Sequence, residues 1–311
     1  MKSGISFDEK DILEQYPMVL EILLKDRTTQ KNIVWGTNNY SESGEFYNAN
    51  MEISLGLVKG IRSKIVKTRV LKSDEHKSSR TKEKAEVFTP SWLCNKQNNL
   101  IDEQWFGRKD MFNKELHTIW EVNVEKIEFA KTKGQTWRDY VDARRMEIAC
   151  GEAPYLVSRY DTVTGKQIKL EERIGLLDRK LRVVNENVGN EAEWLKWTKR
   201  AFQSVYGYEY QGDNVLLARK NLLYTFVDNI RHKLEREPTI KELKNIATII
   251  SWNIWQMDGI TFTVPLHEDR EKIEQLMLFD CEDINITQYC KIKDWRSKVI
   301  VEYRSLVQRG E

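Results

Sequence analysis

Apolar side chains recur at helical spacing near the start of the chain. Ile12, Leu13, Val19, Leu20, Leu23 and Leu24 predict an amphipathic helix over 8–26, with Asp8 placed to cap it. Pro17 falls inside this run, where it removes a backbone donor and clashes with the preceding turn, so two short helices or a kink are expected. Residues 37–50, rich in Asn, Ser, Gly and Tyr, read as an exposed loop. Further on, short apolar runs alternate with helical periods. Residues 145–149, 180–184 (KLRVV), 205–209 (VYGYE) and 252–257 (WNIWQM) predict strands. Residues 191–205 and 213–235 predict helices, the second with Val215, Leu216, Leu222, Leu223, Phe226 and Ile230 on one face, and Pro238-Thr239 opens another that runs to Ile250. Strands alternating with helices predict an α/β domain built on a mostly parallel sheet. Tyr289, Ile292, Trp295, Val299, Val301 and Tyr303 alternate through 285–307 and predict a hairpin closing that sheet.

Charge changes this picture in one place. The whole chain of 311 residues carries a formal charge of only +2, yet 59–84 holds ten Lys/Arg against three Asp/Glu. The first part of that segment, with Ile61, Ile65, Val66, Val70 and Leu71, reads as a strand with cations on one face, and the remainder (KSDEHKSSRTKEK) has no apolar period. Lys59, Arg62, Lys64, Lys67, Arg69, Lys72, Lys77 and Arg80 are the candidate phosphate contacts, because clustered cations release counterions when they meet nucleic acid; a solvated loop is the plainer reading. Trp92, Trp105, Phe106, Phe112, Trp120, Phe129, Trp137 and Tyr140 crowd the next stretch, as packing groups or, for a few, as a platform for an extruded base.

Composition excludes several classes. Cysteines 94, 150, 281 and 290 and histidines 76, 117, 232 and 267 form no close pairs, so no metal site and no disulfide is expected. The opening residues (MKSGISFDEKD) contain no apolar signal core, and Glu21 interrupts the apolar run of 18–24, so a cytoplasmic protein is expected. Phosphate-loop and nucleophile-elbow glycine motifs are absent, and the acidic pairs at 171–172 and 280–283 lack the strand context of a nuclease.

Three predicted strands end on small or acidic residues: Glu147 through Ala149, Cys150 and Gly151; Glu209; and Asp258-Gly259. Ligands of open α/β sheets bind outside the carboxyl ends of the strands. A glycine after the first strand allows close backbone approach, an acid after the second accepts from ribose hydroxyls, and a third acid accepts from an adenine amine. A nucleoside cofactor suits this order.

These residues resemble motifs of the adenine-specific DNA methyltransferases of bacterial restriction–modification systems. Val87-Phe88-Thr89-Pro90 is similar to the Phe-x-Pro element that touches the methionine end of S-adenosylmethionine in that family. Ala149-Cys150-Gly151 is similar to its Ala-Cys-Gly-x-Gly cofactor loop, and 206–209 (YGYE) with Ala218-Arg219 and Asn221-Leu222 to its ribose-binding strand and following helix. Asn253-Ile254 with Asp258 is similar to its adenine-contacting strand. The resemblance covers about 85–265 and implies a Rossmann-like S-adenosylmethionine-dependent methyltransferase domain. The implied cofactor contacts are Phe88, Thr89, Pro90, Glu147, Ala149, Cys150, Gly151, Glu209 and Asp258. The implied partners are double-stranded DNA and a restriction or modification subunit, in a bacterial or phage setting.

The chain departs from the family at three points. Ala153 stands where the loop has its second glycine, which requires a negative φ there. Gly151 and Glu209 are separated by 57 residues, where about 20 is usual between a Gly-rich loop and its ribose acid, so an insertion at about 157–190 is expected, in the form of a hairpin with a helix. All five prolines (17, 90, 154, 238, 265) are isolated, so the Pro-Pro-aromatic motif that holds the flipped base in the family is missing. The expected plan is a helical and basic extension over 1–84, a methyltransferase-like domain over 85–270 and a C-terminal extension over 271–311. The functional readings are an active adenine methyltransferase, a cofactor-binding specificity or assembly subunit without chemistry, and a scaffold that has lost the cofactor.

Overall fold

The structure, a computed structural model, describes residues 8–60, 62, 65–72, 89–266 and 288–307. Pro17 splits the first helical run as expected, into α1 (Asp8–Gln15) and α2 (Pro17–Leu24), with the proline in the first turn of α2 where its missing N–H is harmless. Helix α3 (Ser91–Phe106) ends at Gly107 in the left-handed conformation. An antiparallel hairpin follows, β1 (Asn113–Leu116) with β2 (Ile119–Val122). A Thr136/Asp139 capping box then opens the short α4 (Trp137–Asp142).

The centre is a parallel sheet of three strands in the order β3 (Arg145–Glu147), β4 (Val205–Glu209), β5 (Ile254–Gln256). Helices α5 (Leu176–Asn187) and α6 (Glu191–Gln203) connect β3 to β4; α7 (Gly212–Leu234) and α8 (Ile240–Asn253) connect β4 to β5. Two of these starts are capped: Asn190 accepts from the Glu193 N–H, and Thr239 with Glu242 forms a capping box after Pro238.

Alternation along β4 divides the interior. Val205 faces the main helical core with Cys150 and Ile254, while Tyr206 and Tyr208 face a second, smaller core with Trp255, Met257, Cys290, Ile292 and Tyr303. The second core is roofed by the C-terminal hairpin, β6 (Lys291–Lys293) with β7 (Ile300–Glu302). This hairpin forms as predicted but as its own sheet, packed on a face of the parallel sheet and not added to its edge.

Other expectations are corrected by burial. Residues 180–184 are helix, because Leu177, Leu181 and Val184 recur at helical spacing and all lie in the core. The basic segment forms no strand among its described residues; it makes turns, including a short 3-10 turn over Arg69–Leu71. The expected exposed loop of 37–50 is only partly exposed: Tyr40 and Tyr47 are buried against Trp35, with ring centroids 4.9 and 5.3 Å away. The insertion contains an isolated bridge between Tyr160 and Gln167 followed by α5, so helix and turn are present without a regular hairpin. The aromatics expected mainly to pack do so: Trp105, Phe106, Phe112 and Phe129 surround Tyr140.

Buried cations tie the layers together. Arg219, fully buried on α7, donates to the carbonyls of Leu23, Lys25, Ser251 and Ile254, joining α2, α8 and β5; burial lowers its pKa to about 9. Four carbonyls satisfy its donors, which is what makes an arginine tolerable there. Arg179 on α5 pairs with Asp102 at 2.5 Å and donates to Asn95 and Asn99, pinning α5 to α3. Residues 12–58 share the main core with residues 111–254, so the N-terminal helices are packed into the sheet domain.

Candidate functional site

The three segments singled out by sequence meet. Gly151 N–H donates to Glu209 Oε2 at 2.9 Å, and Met257 N–H donates to the Glu209 carbonyl at 3.1 Å. The loop after β3, the end of β4 and the end of β5 therefore share one edge of the sheet, outside the carboxyl ends of its strands. Asp258 follows directly on that contact.

The loop backbone is unusual. Ala149, Gly151 and Ala153 all have positive φ, at 47°, 52° and 64°, while Cys150 and Glu152 between them do not. Ala153 thus takes the conformation that the sequence argument reserved for glycine, which overturns the expectation of a negative φ there. Left-handed alanine costs about 1–2 kcal/mol, and such strain persists only where the surroundings hold it. Here they do: Cys150 N–H donates to the Tyr208 carbonyl at 2.8 Å, Ala153 N–H to the Cys150 carbonyl at 2.7 Å, and Ala153 is completely buried. The N–H groups of Cys150, Gly151 and Ala153 are all bonded within the protein, which fixes the loop's path at the ends of the strands.

Two carboxylates hold the loop. Glu209 accepts from Gly151 through one oxygen and from Gln211 N–H through the other at 3.0 Å. Glu147 lies buried at the end of β3, and its carboxylate accepts from the N–H groups of Tyr155 at 3.4 Å and Leu156 at 3.2 Å. Burial pushes the Glu147 carboxyl well above the usual range; those two N–H groups oppose the shift and the nearby charge of Glu209 adds to it. Cys150 is buried between them and its thiol is pushed up by burial and by both carboxylates, so it is an inert packing group.

Asp258 Oδ1 accepts from Ile260 N–H at 2.8 Å and Thr261 N–H at 3.1 Å, closing its own turn; among the described residues Oδ2 accepts no hydrogen bond. Tyr210, directly after Glu209, is half-buried, and its hydroxyl pKa is raised by burial and by Asp258. The sequence reading missed Tyr210, though its place directly after Glu209 was the available signal.

Thr89 and Pro90 arrive from α3. The Thr89 carbonyl accepts from Thr162 Oγ1 at 3.1 Å, and Ser91 N–H donates to Asp161 at 2.7 Å, so this end of α3 is tied to the segment that follows the loop. Asn98 on α3 donates to the Tyr155 carbonyl at 3.0 Å, and Tyr155 N–H donates to Glu147 at 3.4 Å, which links α3 to the end of β3. Phe88 lies outside the described residues.

A further layer escaped the sequence reading. Glu152 is buried and accepts from Tyr160 Oη at 2.5 Å and from Arg69 N–H at 2.7 Å, while Asn221 donates to the Glu152 carbonyl and to Tyr160 Oη, both at 3.0 Å. Asn221, noted in sequence as part of the helix after the ribose strand, thus reaches back to the loop, and the basic segment crosses it through Arg69.

The candidate phosphate contacts separate into groups. Arg62 and Lys67 are exposed; Lys59 and Arg69 are half-buried; Lys64, Lys77 and Arg80 lie outside the described residues. Lys72 does not fit a phosphate contact. It is buried, and its ammonium bonds Asp213 at 3.0 Å, an acid that also accepts from Tyr40 Oη at 2.7 Å. A cation so enclosed joins the basic segment to the start of α7 and presents no charge to solvent.

A separate cavity of about 1180 Å³ opens elsewhere, between the start of α3, the 161–173 segment and the far end of α7, with Trp92, Trp120, Arg173 and His232 in its walls. It contains none of Gly151, Glu209 or Asp258, and size alone does not move the candidate site there.

These features define a mixed α/β protein with a loop of three positive-φ residues at the ends of adjacent parallel strands. No protein-family model matches the chain, and neither a curated protein nor a solved structure matches it.

Proposed function

We propose that the protein binds S-adenosylmethionine at the loop of 149–153 and serves methylation of the exocyclic amine of adenine in DNA, on a Rossmann-like methyltransferase domain. The observation that carries this reading is the Gly151–Glu209 contact with Asp258 adjoining it: a strained loop, a ribose-suited acid and an adenine-suited acid on one sheet edge, in the order a nucleoside needs.

The residues fit the cofactor chemically. Glu209, at the end of β4 beside the loop, is the acid suited to a ribose diol, because a carboxylate accepts from hydroxyl donors. Asp258 Oδ2 suits an adenine amine, and the Tyr210 ring suits an adenine face. The resemblance assigns Thr89 and Pro90 to the methionine end; Pro90 lines the separate cavity. When bound, the cofactor supplies an electrophilic methyl group. Glu209 holds the Gly151 amide and Glu147 the amides of Tyr155 and Leu156 just beyond the loop.

The sequence has no Pro-Pro-aromatic element to orient the target amine. That favours a second reading, in which the chain carries cofactor and DNA while a partner subunit holds the base; orientation is worth several kcal/mol of barrier.

Calorimetry with S-adenosylmethionine tests the common core of both readings: saturable binding is expected, and its absence leaves only the scaffold. Transfer of labelled methyl groups to adenine-rich duplex then separates them. Label with the chain alone supports the enzyme; label only after a partner is added supports the divided site.

A further inference from the structure

The C-terminal hairpin buries one side chain of β6, Ile292, against the parallel sheet, which leaves Lys291 and Lys293 on the outer side of the strand. Lys293 Nζ lies 4.6 Å from the ring centre of Trp295 and 5.9 Å from that of Trp252, and the Arg27 guanidinium also lies 5.9 Å from the Trp252 ring centre. Lys291 N–H donates to Thr28 Oγ1 at 3.0 Å, which sets the 27–31 turn, with exposed Lys31, beside β6. At the hairpin tip Arg296 and Lys298 are exposed, and Arg144 and Arg200 come up beneath them.

The acids of this region are already engaged. Asp142 binds Arg200 and Arg296, Asp294 binds Arg144, Glu302 binds Arg304, and buried Asp26 accepts from the N–H groups of Thr28 and Thr29. Among the described residues Lys31, Lys291 and Lys298 have no ion pair. A chain with a formal charge of +2 thus gathers a cationic ridge here, with two indole rings stiffening its middle.

We propose that this ridge, centred on Lys291, Lys293 and Lys298, is a contact surface for the phosphate backbone of duplex DNA, separate from the basic segment of 59–84. Phosphate suits it better than a lipid surface: the Trp295 indole N–H is bonded inward to Asn253 at 2.7 Å, so this ring is anchored to the protein. Steering by such a field is effective at a distance and does not depend on base sequence. The proposal rests on the reading of the protein as DNA-binding, but not on the cofactor.

The test is the salt dependence of duplex binding by the full chain, followed by fluorescence anisotropy over about 50–200 mM salt. Each lost phosphate contact lowers the slope of log affinity against log salt by about 0.9, so K291Q/K293Q/K298Q is expected to lower it by about 2–3. K291R/K293R/K298R should keep the slope, and melting temperature and cofactor calorimetry should be unchanged in both. An unchanged slope in the glutamine variant overturns the proposal, as does loss of binding to anionic phosphatidylserine vesicles with the DNA slope intact. Absence of duplex binding by the unaltered chain overturns it too, together with the DNA reading, while cofactor calorimetry judges the methyltransferase reading independently.

Discussion

Glu209 Oε2 accepts the N–H of Gly151, 58 positions earlier in the chain, at 2.9 Å, and this bond fastens the loop after β3 to the end of β4. The same carboxylate holds Gln211 N–H through its other oxygen. Removing it leaves two buried amides without an acceptor. Glu209→Ala is expected to cost about 1–3 kcal/mol for each buried amide left unpaired and to abolish measurable cofactor binding. Glu209→Gln, which keeps the carbonyl acceptor, should retain more stability than cofactor affinity. Urea titration and calorimetry on both variants check the split.

Ala149 is exposed and left-handed. Glycine adopts that conformation without the Cβ clash, at some cost through the freer unfolded chain. Ala149→Gly is expected to raise stability by up to about 1 kcal/mol, the reverse of the usual effect of glycine. A lower midpoint in thermal melting would show that the surroundings do not hold this residue in strain.

Glu147 gives a pH dependence with a definite sign. Burial raises its folded pKa well above the unfolded value of about 4.3. The folded state therefore binds the extra proton in that interval, and the stabilisation is fully present below the unfolded pKa and lost as pH rises through the folded one. Glu152 and Asp178, also raised by burial, contribute with the same sign. Glu147→Gln should remove part of the fall in stability above about pH 4.3. Urea midpoints measured across that interval for both proteins test it; parallel curves would refute it.

Lys72 separates structure from binding. Its ammonium is buried against Asp213, and breaking a buried pair by removing one partner costs about 3–5 kcal/mol. Lys72→Met should be markedly destabilising, yet the salt slope of duplex binding should stay as it is, measured below the melting transition. A slope reduced by about 0.9 would return Lys72 to the phosphate contacts.

Arg179 and Asp102 join α5 to α3 through a buried pair at 2.5 Å, with Tyr140 Oη bonding the second Asp102 oxygen at 2.8 Å. Arg179→Ala is expected to lose about 3–5 kcal/mol, and the double variant with Asp102→Ala less than the sum of the singles. Denaturant titration of the cycle checks the coupling.

Much of the frame was legible along the chain because its signals are local. Pro17 divides α1 from α2, Pro238-Thr239 precedes α8, and 205–209 forms a strand whose two faces are both buried. The order Gly151, Glu209, Asp258 also pointed to one sheet edge, because consecutive parallel strands bring their carboxyl ends together. The misreadings have a common cause. KLRVV resembles a strand within a five-residue window, and only the wider helical period with Leu177 and the burial of Arg179 and Lys180 make it helix. Lys72 looked like one of a run of solvated cations because charge in a sequence carries no sign of whether an acid waits for it 141 residues away.

What the sequence determined by itself is therefore the set of local elements and the succession of polar groups at their ends, since capping, periodicity and proline act over a few residues. What only the tertiary structure decided is which of those groups meet, which are buried, and in what backbone conformation. The left-handed Ala153, the enclosed Lys72, the Glu152–Tyr160–Asn221 cluster and the cationic outer side of β6 all arise from contacts between distant segments. Burial, and with it the strength of every charge and hydrogen bond, is a property of that assembly, not of the residues in order.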